Sequence, residues 1–163
     1  MVRKVFFSFH HKADHWRAGT VRSIGAISGN EPVSDNAWEE IKKGGDAAIK
    51  KWIDSQLEGR SCTIVLIGAK TAGRKWIEYE IKKTWDDDKG LLGIYIHNLK
   101  DKDGDHSAKG RNPFEGFTVG DMYMSNIAKA YNPPMKDSGE VYSYIARNLA
   151  DWVEEAIIIR GNH

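Results

Sequence analysis

The sequence predicts an α/β protein in which a mostly parallel sheet carries helices on both faces. Short apolar runs, each about the length of one strand, alternate along the chain with segments whose apolar residues recur every three or four positions. The first run, RKVFFSF (3–9), is nearly continuously apolar, as in strands buried on both faces. Because strands that alternate with helices are joined by right-handed crossovers, the sheet is expected to be parallel.

Length and composition favour a single domain that spans residues 1–163. Of the 163 residues, 40% are hydrophobic and 29% are charged, which is ordinary for a soluble globular protein. Lys and Arg number 24 against 23 Asp and Glu, so no nucleic-acid partner that depends on a basic excess is expected. No run approaches the ~20 apolar residues of a membrane span, and no leader-like segment precedes the first strand. We therefore expect a cytoplasmic protein without a membrane partner.

The first third of the chain predicts one helix and a short strand. Residues 13–27 have a helical composition, and their expected packing residues are Trp16, Ile24 and Ile27. A Gly-Asn-Glu-Pro sequence then predicts a turn. A short strand is expected near Val33.

The middle of the chain contains the clearest helices and strands. Asp46 is the expected N-cap of an amphipathic helix, DAAIKKWIDSQL, in which apolar residues recur at three- and four-residue spacing. The run SCTIVLIG (61–68) predicts a central strand, with the single cysteine, Cys62, as a small core residue. A helix opened by Thr71 or Gly73 carries RKWIEYEIKKTW, and LLGIYIH predicts a third strand.

Two irregular stretches precede the last helix. The segment at about 98–120 is polar and rich in Gly and Asp, which predicts a long loop or insertion. Another irregular piece surrounds the later Asn-Pro-Pro sequence. A C-terminal helix is expected at about 138–158, because a set of apolar residues shares one of its faces. These residues are Val141, Ile145, Leu149, Trp152, Val153 and Ala156.

The loop after the predicted central strand is the first place to look for a ligand, because parallel sheets bind ligands beyond the carboxyl ends of their strands. Its sequence, GAKTAGRK (68–75), approaches the phosphate-binding pattern G-x-x-x-x-G-K-[ST]. Arg74 stands in place of the lysine, and Lys75 in place of the magnesium-binding hydroxyl, so nucleotide hydrolysis is not expected here. Two cations at a helix start remain suited to contact an anion.

No metal site is expected. DKDGD resembles the start of a calcium loop, but His106 and Asn112 occupy the positions at which an EF-hand needs glycine and glutamate. His11 and His15 are spaced to share a helix face, yet no third ligand accompanies them. No G-x-G-x-x-G follows a strand, so a Rossmann-type dinucleotide cofactor is not expected either.

Two glutamates in RKWIEYEI, Glu78 and Glu80, are candidates for chemistry. On a helix, Trp76 and Glu80 point nearly the same way, and Glu80 flanks the stripe of Ile77 and Ile81 that must face the core. Glu78 lies ~160° from Glu80 around the axis and leans toward solvent. An acid beside an indole in a partly dry cleft has a raised pKa and can act on a substrate.

Helix geometry alone leaves a purely structural interpretation of Glu80 open. In that interpretation, Glu80 is a boundary residue of its helix and pairs with Lys83 or Lys75. The cleft would then hold no reacting carboxylate.

Two motifs together resemble TIR domains. The sequence FFSF (6–9) resembles the first-strand pattern F-[IV]-S-[YF], and W-x-x-x-E places Trp76 and Glu80 in register with the TIR catalytic helix. SDNAWEE and SCTIVLIGAKTAGRKWIEYEI resemble the TIR-like family that includes the ThsB proteins of the Thoeris antiphage system. The similarity runs from about Val5 to Ile96, and more loosely through the KDKDGD…KGRNPF loop. It implies a flavodoxin-like (TIR-like) fold.

The resemblance implies an enzyme that uses NAD⁺ as its substrate and needs no cofactor. TIR enzymes cleave the nicotinamide–ribose bond, and ThsB-like members make a cyclic ADP-ribose isomer or a related signal that activates a partner effector protein. The family's catalytic glutamate corresponds to Glu80. The transition state is oxocarbenium-like, as in glycoside hydrolysis, and a carboxylate would stabilise its positive charge. Two further partners are considered. One is a phage-derived trigger, and the other is a second copy of this chain, in a homo-oligomer that forms on activation.

The same resemblance implies which residues bind the substrate. Two histidines, His10 and His11, stand where several NAD⁺-cleaving TIR enzymes have arginines, so phosphate contacts are not expected to follow the family pattern at that loop. Phe9 and Trp76 are expected to pack around the nicotinamide. The rest of the wall is expected to come from Phe7, Ser8, His10, Asp35 and Trp38.

Three other functions compete with this one. A TIR-like interaction module would bind protein partners without turnover, and release of nicotinamide from NAD⁺ would exclude it. An enzyme like the nucleoside deoxyribosyltransferases also uses a carboxylate at an anomeric carbon, but it would act on deoxynucleosides. A receiver-type phosphoacceptor needs an aspartate at the end of a central strand, where this chain has Leu66, Ile67 and Gly68.

Overall fold

The computed structural model describes residues 2–31 and 35–163, except for the side chain of Asp35. Helices and strands alternate along the chain, as the spacing of apolar residues predicts. The strands are β1 (Arg3–Ser8), β2 (Ile27–Gly29), β3 (Cys62–Ile67), β4 (Gly90–Tyr95), β5 (Thr118–Val119), β6 (Met122–Tyr123) and β7 (Ala130–Tyr131). The helices are α1 (His11–Arg22), α2 (Asp35–Lys43), α3 (Gly45–Leu57), α4 (Lys75–Asp86) and α5 (Ser138–Gly161).

The main sheet has the strand order β2-β1-β3-β4-β7, and every neighbouring pair in it is parallel. This is the flavodoxin-like order, in which the direction of winding reverses between β1 and β3. The predicted fold class is therefore confirmed. The small antiparallel pair β5–β6 lies outside the main sheet.

Helices cover both faces of this sheet, and this explains why β3 and β4 are buried at every position. Alternate residues of β3 face opposite layers. Ile64 and Leu66 pack in one cluster with α1 and α5, while Val65 and Ile67 pack in another with α4. On β1, Phe6 packs against α3.

Helix α5 buries the face that its sequence predicts. Its inward residues pack against β3, β4 and α1, and its Trp152 ring stacks on Tyr131 of β7 with centroids 4.2 Å apart. The buried residues of α5 are Val141, Ile145, Leu149, Trp152, Val153 and Ala156.

The first helix differs from its prediction at both ends. It begins at His11, because the Nδ1 atom of His10 accepts a hydrogen bond from the backbone N–H of Ala13 at 3.0 Å. It ends at Arg22, and Ile27 opens β2 instead. The assignment of Trp16 to the core is wrong, because that side chain is 58% exposed. The strand expected near Val33 lies outside the described residues.

The starts of α3 and α4 also differ from their predictions. Helix α3 begins at Gly45 after an N-cap at Gly44, so Asp46 lies in its first turn. Helix α4 begins after Arg74, and Thr71 stabilises the preceding loop by accepting a hydrogen bond from the N–H of Gly68 at 2.8 Å. A short polar side chain can close a turn as readily as it caps a helix, and spacing does not separate these two uses.

The long polar segment is an ordered loop that Arg17 holds to α1. The guanidinium of this buried residue donates hydrogen bonds to the carbonyls of Leu99 at 2.7 Å and Asp105 at 2.9 Å. Further along, residues 113–116 form a 3₁₀ turn that buries Phe114 completely. Within the described ranges, no helix has the length and apolar character needed to span a bilayer.

Candidate active site

A cavity of about 670 Å³ opens at the carboxyl ends of β1 and β3, where the winding of the sheet reverses. The loop after β1 contributes Phe9 and His10, and α4 contributes Trp76 and Glu80. Its volume lies within the range of small-molecule sites. Ligands of such sheets bind at this position, so the cavity is the best candidate for the functional site.

Glu80 is the acidic group at the inner wall of this cavity. Its side chain is buried, with 8% of the residue exposed, and its Oε1 accepts a hydrogen bond from the hydroxyl of Ser8 at 2.6 Å. Lys75 instead pairs with Asp46 at 2.5 Å, and Lys83 pairs with Asp87 at 3.1 Å. The interpretation of Glu80 as a boundary residue paired with either lysine is therefore wrong.

Burial raises the pKa of Glu80 to about 8, and the hydrogen bond from Ser8 opposes this shift. Without a ligand, Glu80 is therefore mostly protonated at neutral pH. A cation that enters the cavity would favour the carboxylate form by direct attraction. The side chain is thus suited to stabilise positive charge that arrives with, or develops on, a substrate.

Phenylalanine and tryptophan side chains form a large part of the remaining wall. Trp38 of α2 and Trp52 of α3 meet with ring centroids 5.8 Å apart, and Trp76 meets the edge of Tyr79 at 5.9 Å. Flat rings of this kind suit a planar heterocycle, which binds by stacking and by displacing water. A hydrogen bond of 2.7 Å from the hydroxyl of Tyr79 to Asp54 joins α4 to α3 behind this wall.

Most of the side chains proposed for substrate binding line the cavity together. They are Phe7, Phe9, His10, Trp38 and Trp76. Ser8 is different, because it is only 1% exposed and its contact is with Glu80. The side chain of Asp35 lies outside the described residues.

His10 holds the start of α1 through the Nδ1 contact with Ala13, so that nitrogen is already an acceptor. Burial lowers the pKa of His10, and the nearby cations Arg74 and Lys70 lower it further. The ring is therefore neutral at pH 7. A neutral imidazole contributes little to the binding of a phosphate charge.

The chain also places residues in the cavity that sequence reasoning did not assign to it. Phe6, Asn30 and Trp52 line the wall, and Lys12 and Arg74 lie at the rim. Trp52 was expected only as a packing residue of α3. Its spacing is that of the buried residues of α3, so its role at the cavity was overlooked. A large ring at the edge of an amphipathic stripe is nevertheless a recognisable sign of a binding surface.

Glu78 and the paired histidines do not contribute a second centre. Glu78 is half-buried and is not among the residues that line the cavity. The rings of His11 and His15 lie 5.0 Å apart on α1. Across residues 2–31 and 35–163, no three His, Cys, Asp or Glu side chains are grouped to hold a metal ion.

Comparisons with known proteins agree with this architecture. Residues 6–101 match the family model described as "Thoeris protein ThsB, TIR-like domain". A protein of Bacillus cereus (strain MSX-D12) named "Putative cyclic ADP-D-ribose synthase ThsB1" is 38% identical over 131 residues, which cover 77% of this chain and 67% of that protein. The match to the family model contains the end of β1, the whole of α4 and every residue that lines the cavity. The chain therefore belongs to the TIR-like family of the Thoeris protein ThsB.

Proposed function

We propose that this chain is a TIR-type enzyme that cleaves the nicotinamide–ribose bond of NAD⁺ and makes a cyclic ADP-ribose-type signal in antiphage defence. NAD⁺ is its substrate, and no further cofactor takes part. The signal would activate a separate effector protein. The name of the Bacillus cereus relative, a cyclic ADP-D-ribose synthase, supports this class of reaction.

The observation that carries the proposal is the buried acid in the aromatic cavity. Glu80 lies with Phe9 and Trp76 around one space, at the strand ends where ligands of this fold bind. The pyridinium ring of NAD⁺ is planar and cationic, so it matches both the aromatic wall and the acid. Its charge would draw Glu80 into the carboxylate form on binding.

The reaction then needs one bond to break and one to form. The bond between the nicotinamide nitrogen and C1′ of the ribose breaks, and its electron pair leaves with the nicotinamide, which becomes neutral. The carboxylate of Glu80 stabilises the positive charge that develops on the ribose. An adenine nitrogen or a ribose hydroxyl of the same molecule then bonds to C1′, and one proton is released.

Exclusion of water decides whether the product is cyclic or hydrolysed. Water competes with the intramolecular nucleophile for C1′, so a dry cavity favours ring closure. The aromatic side chains of Trp38 on α2 and Trp52 on α3 line the same cavity as Glu80. These two tryptophans are therefore expected to affect the ratio of cyclic to linear product more than the rate of nicotinamide release.

A matched pair of variants tests the catalytic assignment. Glu80→Gln keeps the shape of the side chain and an oxygen that can accept from Ser8, but removes the charge. We expect nicotinamide release from NAD⁺ to fall by about 100- to 1,000-fold. Glu78→Gln removes an equal charge two residues away and should leave the rate within about twofold. Both are measured by chromatography of the products, with extract of phage-infected cells added as an activator.

The same assay separates the competing functions. An interaction module would release no nicotinamide from NAD⁺, whether or not the activator is added. An enzyme like the nucleoside deoxyribosyltransferases would exchange the base of a deoxynucleoside and leave NAD⁺ intact. Equal loss of activity in Glu80→Gln and Glu78→Gln would contradict the assignment of the reacting carboxylate.

A further inference from the structure

Two loops with exposed cations meet beside the mouth of the cavity. The loop after β3 and the long polar loop touch at their glycines, since a Cβ added to Gly110 would lie 2.0 Å from the carbonyl oxygen of Gly68. Later in the first loop, a Cβ added to Gly73 would lie 3.5 Å from the Nη2 atom of Arg111, the residue after Gly110. The guanidinium of Arg111 therefore lies close to Gly73, the residue before Arg74, and Arg74 precedes α4.

We use the name basic rim for Lys70, Arg74 and Arg111. In the part of the chain that the structure describes, none of the three forms an ion pair with a carboxylate. Arg74 donates only to the carbonyl of Lys70, at 3.2 Å. These cations lie on adjoining loop segments without a carboxylate partner, so an anionic ligand would be attracted to them.

Two other cations that line the cavity are already paired with carboxylates. Lys75 pairs with Asp46 at 2.5 Å, and Lys42 pairs with Glu39 at 2.8 Å. Their charges are therefore largely neutralised within the protein. Arg74 lines the same cavity as Glu80 and has no such partner among the described residues. Lys12 of α1 also lines the cavity without an ion pair among the described residues, so the unpaired positive charge lies where α1 and α4 begin.

The backbone adds to this charge. Helix α4 starts at Lys75 without a side-chain cap, and its first helical acceptor, the carbonyl of Arg74, receives the N–H of Glu78. The N–H groups of Lys75, Trp76 and Ile77 therefore have no acceptor within the helix, and they lie at the positive end of its dipole. Because these groups follow Arg74 directly, the guanidinium and the helix start favour an anion at the same place.

We propose that the basic rim, with Arg74 as its central residue, binds the pyrophosphate of the dinucleotide whose ribose lies at Glu80. The proposal rests on the proposed function for the identity of this ligand. Glu80 lies six positions after Arg74, the N-cap of α4, which is about 9 Å along the helix axis. One helix would therefore position both the phosphate-binding group and the reacting acid.

Binding of ADP and adenosine to the purified full chain tests this proposal without any need for turnover. Titration calorimetry is carried out on the unaltered chain, on Arg74→Gln and on Arg111→Gln. A third variant, Arg147→Gln, removes the same charge from an exposed position on α5 and serves as the control. We expect ADP to bind more tightly than adenosine, and its affinity to fall about tenfold or more in Arg74→Gln.

Several results would decide the matter. Loss of ADP affinity in Arg74→Gln and Arg111→Gln but not in Arg147→Gln supports the basic rim, as does a smaller dependence of binding on salt in the same two variants. Equal affinity for ADP and adenosine, no binding of ADP, or no effect of Arg74→Gln would overturn it. If ADP binds as expected while Glu80→Gln leaves NAD⁺ cleavage unchanged, the proposed reaction fails and the basic rim stands.

Discussion

Ser8 and Glu80 form the contact on which the proposed chemistry of the cavity depends. They lie 72 residues apart in the sequence, on β1 and α4, and the hydroxyl of Ser8 donates to the carboxyl oxygen at 2.6 Å. This hydrogen bond favours the ionised form of Glu80, whereas burial favours the protonated form and is the larger effect. Ser8 is therefore a positioning residue that tunes the acid from behind the cavity wall.

Replacing Ser8 should shift the pH dependence of the reaction. The proposed active form of Glu80 in the free enzyme is the carboxylate, so kcat/KM should rise with pH and level off above about 8. In Ser8→Ala, the lost hydrogen bond raises the pKa of Glu80, and the rising limb should move to higher pH. The pH profile of nicotinamide release measures this shift. A limb that stays in place while the plateau falls would show that Ser8 does not act through the pKa of Glu80.

At the scale of helices and loops, two glycines differ in whether their position requires a residue without a side chain. A Cβ on Gly19, in the middle of α1, would meet nothing within 4 Å. A Cβ on Gly110 would lie 2.0 Å from the carbonyl oxygen of Gly68, and two stiff backbone segments would have to separate. One glycine is therefore dispensable for packing, and the other fixes the junction that positions the basic rim.

This contrast predicts opposite effects from the same substitution. Gly19→Ala should stabilise the protein by about 0.5–1 kcal/mol, because alanine loses less backbone entropy in a helix. Gly110→Ala should destabilise it by about 1–3 kcal/mol through the forced separation of the two loops. Urea unfolding followed by tryptophan fluorescence measures both free energies. A stabilising Gly110→Ala would contradict the close contact of the loops.

For the molecule as a whole, the buried acid makes the stability depend on pH. The pKa of Glu80 is about 8 in the folded chain, against the ordinary value of 4.5 expected after unfolding. Between these values, the folded state holds one proton more than the unfolded state. Its stability therefore falls as pH rises, by up to about 1.4 kcal/mol per pH unit, and the loss is complete above about pH 8.

Glu80→Gln should remove this dependence. We expect the variant to gain stability over the unaltered chain progressively from pH 5 to pH 8, with a constant difference at higher pH. Other groups whose pKa values are shifted, such as His10 and His97, are present in both proteins and cancel in the difference. Urea titrations at pH 5, 6.5, 8 and 9 provide the comparison. If the stabilities of the two proteins instead change in parallel with pH, Glu80 is already ionised in the native cavity at pH 5.

The sequence predicted the architecture because apolar spacing reports directly on burial. The run around Cys62 and the inward face of α5, from Val141 to Ala156, are buried as their patterns indicate. The prediction that Trp16 packs in the core was wrong, because a large ring in a helical pattern does not show which face turns inward. The buried residues of α1 are Asp14, Arg17, Ala18 and Val21 instead. The prediction that Asp46 is the N-cap of α3 was wrong, because α2 ends immediately before α3 and the N-cap is Gly44.

Local pattern was thus enough for the α/β class, the parallel sheet, the inward face of α5 and the deeper burial of Glu80 than of Glu78, since each depends on periodicity within one segment or on a motif. Folding alone decided that Ser8 donates to Glu80, that Trp52 reaches the cavity, and that Arg111 lies close to Gly73. The physical reason is that these contacts join segments far apart in the chain. The pKa of a buried acid and the charge of a rim depend on such neighbours, and they exist only once the sheet has brought the strand ends together.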